Sequence, residues 1–442
     1  QDACGRRKLS LLFYGYVYEL RGNGGAHYAM EHVLRSPDVH VLVSPLSYQD
    51  RQIGGHGGFM TAVDSVSAHN KLWIVENDYR THAVAFDKLP EWMTVEQLGP
   101  KTENLQETLG VLRRDFGAML THRCGTWWMD LLSVGAFEVP EIWTVVKNEF
   151  LPICKDTLAN AGPFKPEVAV IIDENSHCAL RFEGQWPTEV LNPVFASGCW
   201  HARKHFGRSG TDVGYYYLGD LINGKVPQCK LYVFLNHYQT DEQTINRIHQ
   251  ILSEAGATAL WQYACGYLTE SGVSAEQMGR LVGMKIQTDR GELGTVGQDC
   301  LQSLRWGKNV SLNPRCIVKD STAGPWGNYQ DGNVSTACKD MGKWKSIFTG
   351  EIDLSAEMLL KLYEVCGVHT WTRDGNSIVY SDGRYLFVHS GQSGKHEIYV
   401  PQSAVIECMT GDMDGIHANR VSIDFYKGQT HCFKLFSNVK GS

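Results

Sequence analysis

The chain has 442 residues, of which 43% are hydrophobic and 20% are charged, so two or three globular domains are expected. Lysine and arginine number 41 against 48 acidic residues, a net charge of -7 that argues against a nucleic-acid or anionic-membrane partner. No apolar run approaches the roughly 20 residues that a transmembrane helix needs.

In residues 1–160, short apolar runs alternate with helical patterns. The runs predict strands over 9–15, 39–45, Leu72–Asn77 and 126–131, and the helical patterns cover 26–35, 59–69 and 103–122. Buried strands that alternate with helices are typical of a parallel sheet. Four such β/α units correspond to half of a (β/α)8 barrel.

Residues 161–365 repeat this alternation, with strands predicted over 167–173, 230–236 and 258–263. A helix with Ile245, Ile248 and Leu252 on one face lies between the last two strands, and residues 240–243 predict a capping box at its start. The pattern indicates a doubly wound, flavodoxin-like module. No Gly-x-Gly-x-x-Gly motif follows a strand, so no nucleotide site is predicted, and Asp173 and Glu174 are interpreted as solvated caps.

The last part of the chain is predicted to be rich in β-structure. Residues 291–350 contain many Gly, Trp, Asn and Asp residues, which indicates loops and short strands. A helix is predicted over 354–366, ending at Gly367. From Thr370 onward, short alternating strands with turn residues between them predict a small β-sandwich within 366–442.

The 13 cysteines are scattered, and none forms a Cys-x-x-Cys pair. Zinc sites need closely spaced ligands, so no metal site is predicted. Most of the cysteines are expected to be buried, reduced thiols.

The most prominent candidate for catalysis is Glu76. It follows the apolar run 72–75, and barrel enzymes place their chemistry at the carboxyl ends of strands. A carboxylate in such surroundings is costly unless it is used or paired. The alternative is a structural ion pair with Arg80. Asp78 and Arg80 are otherwise expected to orient the site without touching a sugar.

Further candidates follow the other strands. Tyr48 and Arg51 could donate hydrogen bonds to sugar hydroxyls or could simply anchor their loop. Glu19 could contact a substrate or face solvent. Of Trp127 and Trp128, one is expected to stack on a sugar ring and the other to pack in the core.

Four segments resemble the second half of the catalytic barrel of clan-A β-glycosidases, with glycoside hydrolase family 42 β-galactosidases and related β-mannosidases as the nearest relatives. These segments are residues 13–16, 44–51, 76–82 and 127–130, and residues 367–371 and 385–389 resemble the entry of that family's C-terminal β domain. The resemblance implies an α/β fold. Residues 1–160 would supply strands five to eight of a (β/α)8 barrel, 161–365 a flavodoxin-like trimerisation domain, and 366–442 a small β-sandwich.

The resemblance also implies a function. The chain is expected to be a retaining exo-β-glycosidase of the β-galactosidase type, which cleaves β-linked sugars from the non-reducing end of an oligosaccharide or β-glycoside. Glu76 would be the nucleophile that forms a covalent glycosyl-enzyme, with no cofactor and no metal. The open alternatives are a β-mannosidase or other β-hexosidase of the same clan, and a non-catalytic carbohydrate-binding or assembly protein. A homotrimer is expected, in the cytoplasm or periplasm of a bacterium.

One departure from the family concerns the general acid/base. In the family it is a Glu at the end of barrel strand four, and no strand with an Asn-Glu pair precedes residue 9. Strands one to four are therefore expected from an upstream segment or a partner chain. Because a nucleophile must be ionised, Arg80 or Arg51 is expected beside Glu76, or a hydrogen bond from Tyr48.

Overall fold

The computed structural model of the chain describes residues 8–19, 27–98, 100–180, 192–401, 404–410 and 419–437. Its first four strands form one parallel sheet, in the order of the chain, which is called the first sheet below. The strands are β1 (Leu11–Phe13), β2 (Val41–Pro45), β3 (Leu72–Asn77) and β4 (Gly125–Trp128). The parallel sheet predicted from the alternating pattern is therefore present.

Six helices accompany this sheet, and a π-helical turn at Val146–Phe150 joins the last two. They are α1 (Met30–Arg35), α2 (Val63–Ala68), α3 (Val95–Leu98), α4 (Leu105–Thr121), α5 (Pro140–Val145) and α6 (Leu151–Asn160). The predicted helix over 59–69 begins only at Val63. The carbonyl groups of Phe59 and Met60 instead accept hydrogen bonds from Arg203 and from the Tyr18 amide.

The two faces of the first sheet differ in burial. Trp73 and Val75 of β3 point into the hydrophobic core with the helices, whereas Leu72 on the opposite face is 40% exposed. Successive side chains of a strand point to opposite faces, so Glu76 lies on the same open face as Leu72. Phe13 of β1, 49% exposed, is a further apolar side chain of this sheet that the core does not cover.

The middle of the chain forms a second, nine-stranded sheet. Its strands and those of two adjoining ribbons are β5 (Val168–Ile172), β6 (Gly214–Tyr217), β7 (Leu231–Phe234), β8 (Thr258–Gln262), β9 (Leu268–Thr269), β10 (Gly272–Val273), β11 (Ile286–Glu292), β12 (Thr295–Gly297), β13 (Arg305–Trp306), β14 (Ser311–Val318), β15 (Gly324–Tyr329), β16 (Val334–Asp340) and β17 (Lys345–Thr349). Its helices are α7 (Glu174–Cys178), α8 (Pro193–Phe195), α9 (Ala202–Gly207), α10 (Leu218–Ile222), α11 (Glu242–Ala255), α12 (Ala275–Val282) and α13 (Ala356–Cys366).

Five strands of the nine-stranded sheet are parallel, in the order β6-β5-β7-β8-β17, and are called the central sheet below. This is the strand order of flavodoxin-like sheets. Strands β5, β6, β7 and β8 are buried along their whole length. The continuous apolar runs in the sequence arise because helices cover both faces of this sheet.

An antiparallel extension continues the central sheet beyond β17, in the order β16-β15-β12-β13. The ribbon β11–β14 lies beside it, and the ribbon β9–β10 adjoins the segment after β7 through a bridge between Leu268 and Gln239. The sequence predicts only loops and short strands here. Strands such as β15, with its Gly and Pro residues, have low intrinsic β propensity and owe their conformation to pairing across the sheet.

Two helix boundaries test the capping predictions. The N-cap of α11 is Asp241, whose carboxylate accepts a hydrogen bond from the Thr244 amide at 2.7 Å. The N-cap therefore lies one residue later than the box predicted at 240–243, and a single side-chain bond to the backbone replaces the reciprocal pair. Helix α13 ends at Gly367, with φ +65°, as predicted.

In the described residues after α13, six strands form two antiparallel sheets, ordered β18-β19-β23-β21 and β20-β22. They are β18 (Ile378–Ser381), β19 (Tyr385–His389), β20 (Gly394–Tyr399), β21 (Ala404–Cys408), β22 (Arg420–Phe425) and β23 (Thr430–Ser437). An apolar cluster that includes Leu386 of β19, Ile398 of β20 and Ile423 of β22 joins the two sheets. These strands are called the C-terminal module below.

The C-terminal module packs closely against α4. A Cβ atom on Gly117 of that helix would lie 2.6 Å from Cγ of Phe387, and one on Gly110 would lie 2.0 Å from the Gly428 carbonyl oxygen. Gly110 also accepts a hydrogen bond from the Thr430 hydroxyl at 2.5 Å. Two helical glycines thus permit the close approach.

A buried ion triad joins the helices of the first sheet to the central sheet. His122, at the end of α4, lies 2.9 Å from Asp64 of α2 and 3.3 Å from Asp212, just before β6. Asp64 also accepts a hydrogen bond from the Tyr215 amide in β6 at 2.7 Å. Burial opposes the charge on His122, but the two carboxylates outweigh it and raise its pKa to about 10. The imidazolium is therefore charged at neutral pH.

None of the twelve cysteines in the described segments forms a disulfide, and half of them are buried. None of the helices in those segments is long and apolar enough to cross a membrane.

Candidate active site

Glu76 lies at the carboxyl edge of the first sheet, one residue before β3 ends. In the sheet it is level with Pro45 of β2 and Trp127 of β4. The indole nitrogen of Trp127 donates a hydrogen bond to its carboxylate at 3.3 Å. Glu76 is part-exposed, so a ligand can reach it from the open face of the sheet.

The electrostatics of Glu76 differ from the prediction. Among the described residues, no lysine or arginine forms an ion pair with it. Burial raises the pKa of Glu76, the Trp127 hydrogen bond lowers it, and the negative charge of Asp78 raises it further. Among the described residues, the expected cation is absent from the carboxylate and Trp127, not Tyr48, supplies the hydrogen bond, and the pKa is raised instead of lowered.

The nearby arginines pair with Asp78. The Arg51 guanidinium donates to the Asp78 carboxylate at 2.5 Å, and Arg80 donates to the same carboxylate at 3.3 Å and to the Asp78 carbonyl at 2.7 Å. The structural alternative for Glu76, an ion pair with Arg80, is therefore wrong. Asp78 holds both arginines, in keeping with an orienting role behind the site.

Tyr48 is 53% exposed and lies beside Arg51, whose guanidinium carbon is 4.7 Å from the centre of the tyrosine ring. Burial and then the Asp78 charge raise the pKa of Tyr48, so its hydroxyl keeps its proton as a donor. Arg51 is thus tied to its surroundings by Asp78, as in the anchoring alternative, and Tyr48 stays accessible.

The two tryptophans of β4 have different surroundings, as expected. Trp127 lies on the Glu76 face, with its ring centre 6.0 Å from that of Phe13. Trp128 points to the other face and packs edge-on against Trp143 of α5 at 5.5 Å. Of the two tryptophans, only Trp127 lies beside Glu76.

Glu19 is buried, which contradicts the prediction that it could face solvent. Its carboxylate accepts hydrogen bonds from Arg203 at 2.8 Å, from the Ser47 hydroxyl at 2.8 Å and from the Tyr48 amide at 3.1 Å. Burial forces the carboxylate into this ion pair. It positions the loop that carries Tyr48, and it is not a candidate for contact with a ligand.

Tyr16 is a site residue that the sequence did not single out. It follows β1 and is half-buried. Burial, followed by the nearby Tyr48, Glu76 and Asp78, raises the pKa of its hydroxyl. His27 fixes the backbone here, since its Nδ1 accepts hydrogen bonds from the amides of Gly15 at 3.0 Å and of Tyr16 at 3.2 Å. The aromatic run 13–16 was the signal that could have found it.

At the carboxyl edge of the central sheet the carboxylates are buried, unlike Glu76 in the first sheet. Asp173 accepts hydrogen bonds from the Asn175 amide at 3.0 Å and the Ser176 hydroxyl at 2.6 Å, and Glu174 accepts from the amides of Met30 and Glu31 at the start of α1. Both carboxylates are caps, as predicted, but they are buried and not solvated. Burial raises the pKa of Glu174 to about 7.

The open face of the first sheet thus presents one accessible carboxylate with a tryptophan and two tyrosines around it. Within the described segments, no three His, Cys, Asp or Glu residues converge in a way that could hold a metal ion. A carboxylate with aromatic neighbours can attack or stabilise an electron-poor carbon, and aromatic faces pack on sugar C–H groups.

No protein-family model matches the sequence, and the comparison with curated proteins found no match. Solved structures do resemble the chain. A β-galactosidase from Bacillus circulans sp. alkalophilus matches at 15% identity with a TM-score of 0.58, over 90% of this chain and 64% of that one. A cold-adapted β-galactosidase from Rahnella sp. R3 matches at 14% identity and TM-score 0.57, over 89% and 60%. A catalytic mutant of a family 42 β-galactosidase from G. stearothermophilus matches at 12% and 0.57, over 92% and 61%.

At these identities the likeness concerns the fold. The chain resembles part of the fold of these β-galactosidase structures, one of which belongs to family 42, so the resemblance predicted from the sequence is confirmed at the level of the fold. The chain spans between 60% and 64% of the length of those three structures.

Proposed function

We propose that this chain is the nucleophile-bearing part of a retaining exo-β-glycosidase of the β-galactosidase type. The observation that carries the proposal is the position of Glu76, an accessible carboxylate at the carboxyl edge of a parallel β/α sheet, bonded to Trp127. Active sites of barrel enzymes lie at this edge. The likeness in fold to β-galactosidase structures supports the choice of reaction.

In the proposed mechanism, Glu76 attacks the anomeric carbon and forms a covalent glycosyl-enzyme, which water then hydrolyses. The Trp127 indole donor favours the ionised carboxylate and fixes its orientation. Positive charge develops on the sugar in the transition state and favours that ionised form further, against the effect of burial. Tyr48 and Tyr16 are placed to donate hydrogen bonds to sugar hydroxyls.

A second carboxyl group, in its protonated form, must donate a proton to the leaving oxygen, and in retaining enzymes it lies roughly 5 Å from the nucleophile. Among the residues that the structure describes, Asp78 is the carboxylate whose charge raises the pKa of Glu76. Asp78 is already paired with Arg51 and Arg80. We therefore assign the acid/base to a further segment, upstream or in a partner chain, which would complete the barrel.

The open face of the first sheet supports this completion. Leu11, Phe13 and Leu72 are each at least 40% exposed, and of the described strands only β2 pairs with β1. An apolar, unpaired strand edge is a liability unless something covers it. Four further β/α units would pair with β1 and β4 and would bury these side chains.

The last helices of the first sheet also present an apolar surface. Trp143 of α5 and Leu151 and Leu158 of α6 are exposed, the last at 86%. In a closed barrel the outer helices pack side by side, so a neighbouring helix of the added units would cover this surface.

The order of the three modules, which resembles that of the family, supports a homotrimer formed through residues 161–365. Sedimentation velocity at micromolar concentration should then give the mass of three chains. A monomer would contradict this assembly without affecting the assignment of Glu76.

A mechanism-based 2-fluoro-galactoside tests the proposed function, applied to the protein with its barrel-completing segment. Peptide mapping should find the label on Glu76. Glu76→Gln should lose the label and lower kcat by at least about 10³-fold. The matched control is Glu138→Gln, whose side chain is 72% exposed on the same module and which should keep both label and activity.

The outcomes separate the alternative functions. Label on a different carboxylate would move the nucleophile and contradict the assignment. Faster labelling by the 2-fluoro-mannoside would favour the β-mannosidase alternative. Binding of galactosides without any label or turnover would favour a carbohydrate-binding protein.

A further inference from the structure

The loop after β2, residues 46–58, carries Tyr48 and Arg51 and is called the β2 loop here. It has little regular structure of its own, yet most of it is buried. Its backbone hydrogen bonds go to side chains from all three modules of the chain. Several of these hydrogen bonds come from Arg114 of α4.

The guanidinium of Arg114 is fully buried and uses all five of its N–H donors. Its Nη1 donates to the carbonyl groups of Gln52 at 3.0 Å and Gly55 at 2.7 Å. Its Nη2 donates to the Arg51 carbonyl at 3.0 Å and to the Tyr79 hydroxyl at 2.9 Å, and its Nε donates to Asp115 at 2.8 Å.

Tyr79 makes this arrangement relevant to the site. It lies three residues after Glu76 and directly after Asp78. Because Arg114 donates hydrogen bonds both to Tyr79 and to the β2 loop, its planar guanidinium links the loop to the segment after β3. The Arg51 guanidinium, 5.1 Å from the centre of the Tyr79 ring, adds a second contact between the two segments.

The other modules hold the same loop from outside. Arg208, which follows α9, makes a two-pronged ion pair with Asp50 at 2.5 and 2.9 Å. In the C-terminal module, His389 accepts a hydrogen bond from the Gly54 amide at 3.1 Å, and the Tyr380 hydroxyl donates to the His56 carbonyl at 2.9 Å.

We propose that Arg114 is a positioning residue, which fixes the distance between the β2 loop and Glu76, and that Tyr380 and His389 make the C-terminal module part of the same positioning device. Substrate affinity then depends on a module that contributes none of the side chains assigned to the site. This inference rests on the proposed function, because it assigns Tyr48 and Glu76 to one substrate site.

The kinetic test uses Arg114→Lys and Tyr380→Phe in the full assembly. A lysine ammonium has three donors and cannot reproduce the planar fork, so KM should rise about tenfold while kcat stays within about threefold. Tyr380→Phe removes one hydrogen bond to the loop and should raise KM about threefold. Tyr48 binds substrate in this scheme and does not take part in bond cleavage, which is why KM carries the effect.

Each variant has a matched control that breaks a similar contact elsewhere. Arg113→Lys alters the neighbouring arginine of α4, which makes a two-pronged pair with Glu149 at 2.8 and 2.6 Å. Tyr385→Phe removes a hydrogen bond between the C-terminal module and Asp156 of α6. Both controls should leave KM unchanged, whatever they do to stability.

Hydrogen exchange gives a readout that needs no catalysis. Arg114→Lys should speed amide exchange in residues 46–58 and 76–80 together, and Arg113→Lys should leave both segments unchanged.

Faster exchange with an unchanged KM, or equal effects of the variants and their controls, would overturn the inference while the proposed function stood. A wild-type protein that neither binds nor cleaves a glycoside would overturn the proposed function, and the exchange data would still test the coupling. If Arg114→Lys does not fold, Tyr380→Phe decides the question.

Discussion

The first sheet and the central sheet are both parallel β/α sheets, but they differ in what surrounds them. Strands β5, β7 and β8 of the central sheet are buried throughout, whereas β1 is exposed along its length and β3 alternates between buried and open residues. The central sheet is packed on both faces, whereas the first sheet is covered at β2 and open at β1 and along one side of β3.

The same contrast holds at the carboxyl edges. Around the central sheet, buried polar groups bond to one another: Asn236 exchanges two hydrogen bonds of 2.8 Å with the Asp173 backbone, and one oxygen of Glu351 accepts from the Gly294 amide and the Thr295 hydroxyl, both at 2.7 Å. At the first sheet, Glu76 has one indole donor and remains accessible. A carboxylate at the end of a parallel strand thus becomes a candidate for chemistry only where its face of the sheet is open.

The largest expected effect on stability comes from a substitution in the ion triad that joins the helices of the first sheet to the central sheet. His122→Gln leaves Asp64 and Asp212 buried without a charged partner, so the free energy of unfolding should fall by about 3–5 kcal/mol. Urea denaturation followed by far-UV circular dichroism measures it. His69→Gln is the control, since His69 pairs with the single Asp220 at 2.7 Å and should lose less. Equal losses would mean that the triad does not join the two regions in any special way.

The difference in packing predicts a difference in core mutations. Leu231→Ala in β7 should cost about 2–5 kcal/mol, because Leu231 is fully buried in the central sheet. Leu72→Ala in β3 should cost less than about 1 kcal/mol in this chain by itself, because Leu72 lies on the open face. Similar losses in chemical denaturation would contradict the comparison.

The buried carboxylates of the central sheet should make stability depend on pH. Burial raises the pKa of both Glu174 and Glu351 to about 7, from an ordinary value of 4.5. Because the folded pKa is the higher one, protonation stabilises the fold. That contribution is fully present below pH 4.5 and is lost as the pH rises through 7, by at most about 3 kcal/mol for each group.

Glu351→Gln should therefore flatten the fall in unfolding free energy between pH 4.5 and 7. Glu76→Gln, at the accessible edge, should change the slope much less. Denaturant midpoints measured across this range compare the three proteins, and an unchanged slope in Glu351→Gln would show that its carboxylate is ionised in the fold.

The smallest effect is expected for Tyr16, the aromatic neighbour of Glu76. Tyr16→Phe removes one hydroxyl donor and should lower kcat/KM about fivefold, or about 1 kcal/mol. Tyr14→Phe is the matched control, because the Tyr14 hydroxyl accepts from the Ala29 amide and its ring stacks on His27. A loss of the same size in both variants would indicate a general disturbance of the segment after β1.

Much of the fold could be predicted from the sequence, because parallel strands and amphipathic helices have strong local patterns. The strands at β2, β3, β5 and β7 lie within the predicted runs. The antiparallel extension was missed for a physical reason. Its strands contain Gly, Pro and Asn, and neighbouring strands rather than local preference hold them in place.

The site was predicted only in part. Glu76 and Trp127 could be found because strand alternation and the carboxyl-edge rule place them together. The pairing of Asp78 with both arginines could not be found, since it depends on the path of the β2 loop, which buried contacts from distant segments determine. The same limit applies to Glu19, whose partner Arg203 lies 184 residues along the chain.

The two glycines of α4 that face the C-terminal module have a consequence for protein engineering. Replacing a helical glycine by alanine commonly stabilises a helix by up to about 1 kcal/mol, so Gly110 and Gly117 would be early targets in a thermostability screen. Here a methyl group at residue 117 would lie 2.6 Å from the Phe387 ring, and one at 110 would overlap the Gly428 carbonyl. Such a screen would push the module off the helix. A C-terminal module taken from another protein could accordingly be grafted onto this chain only together with a matching α4.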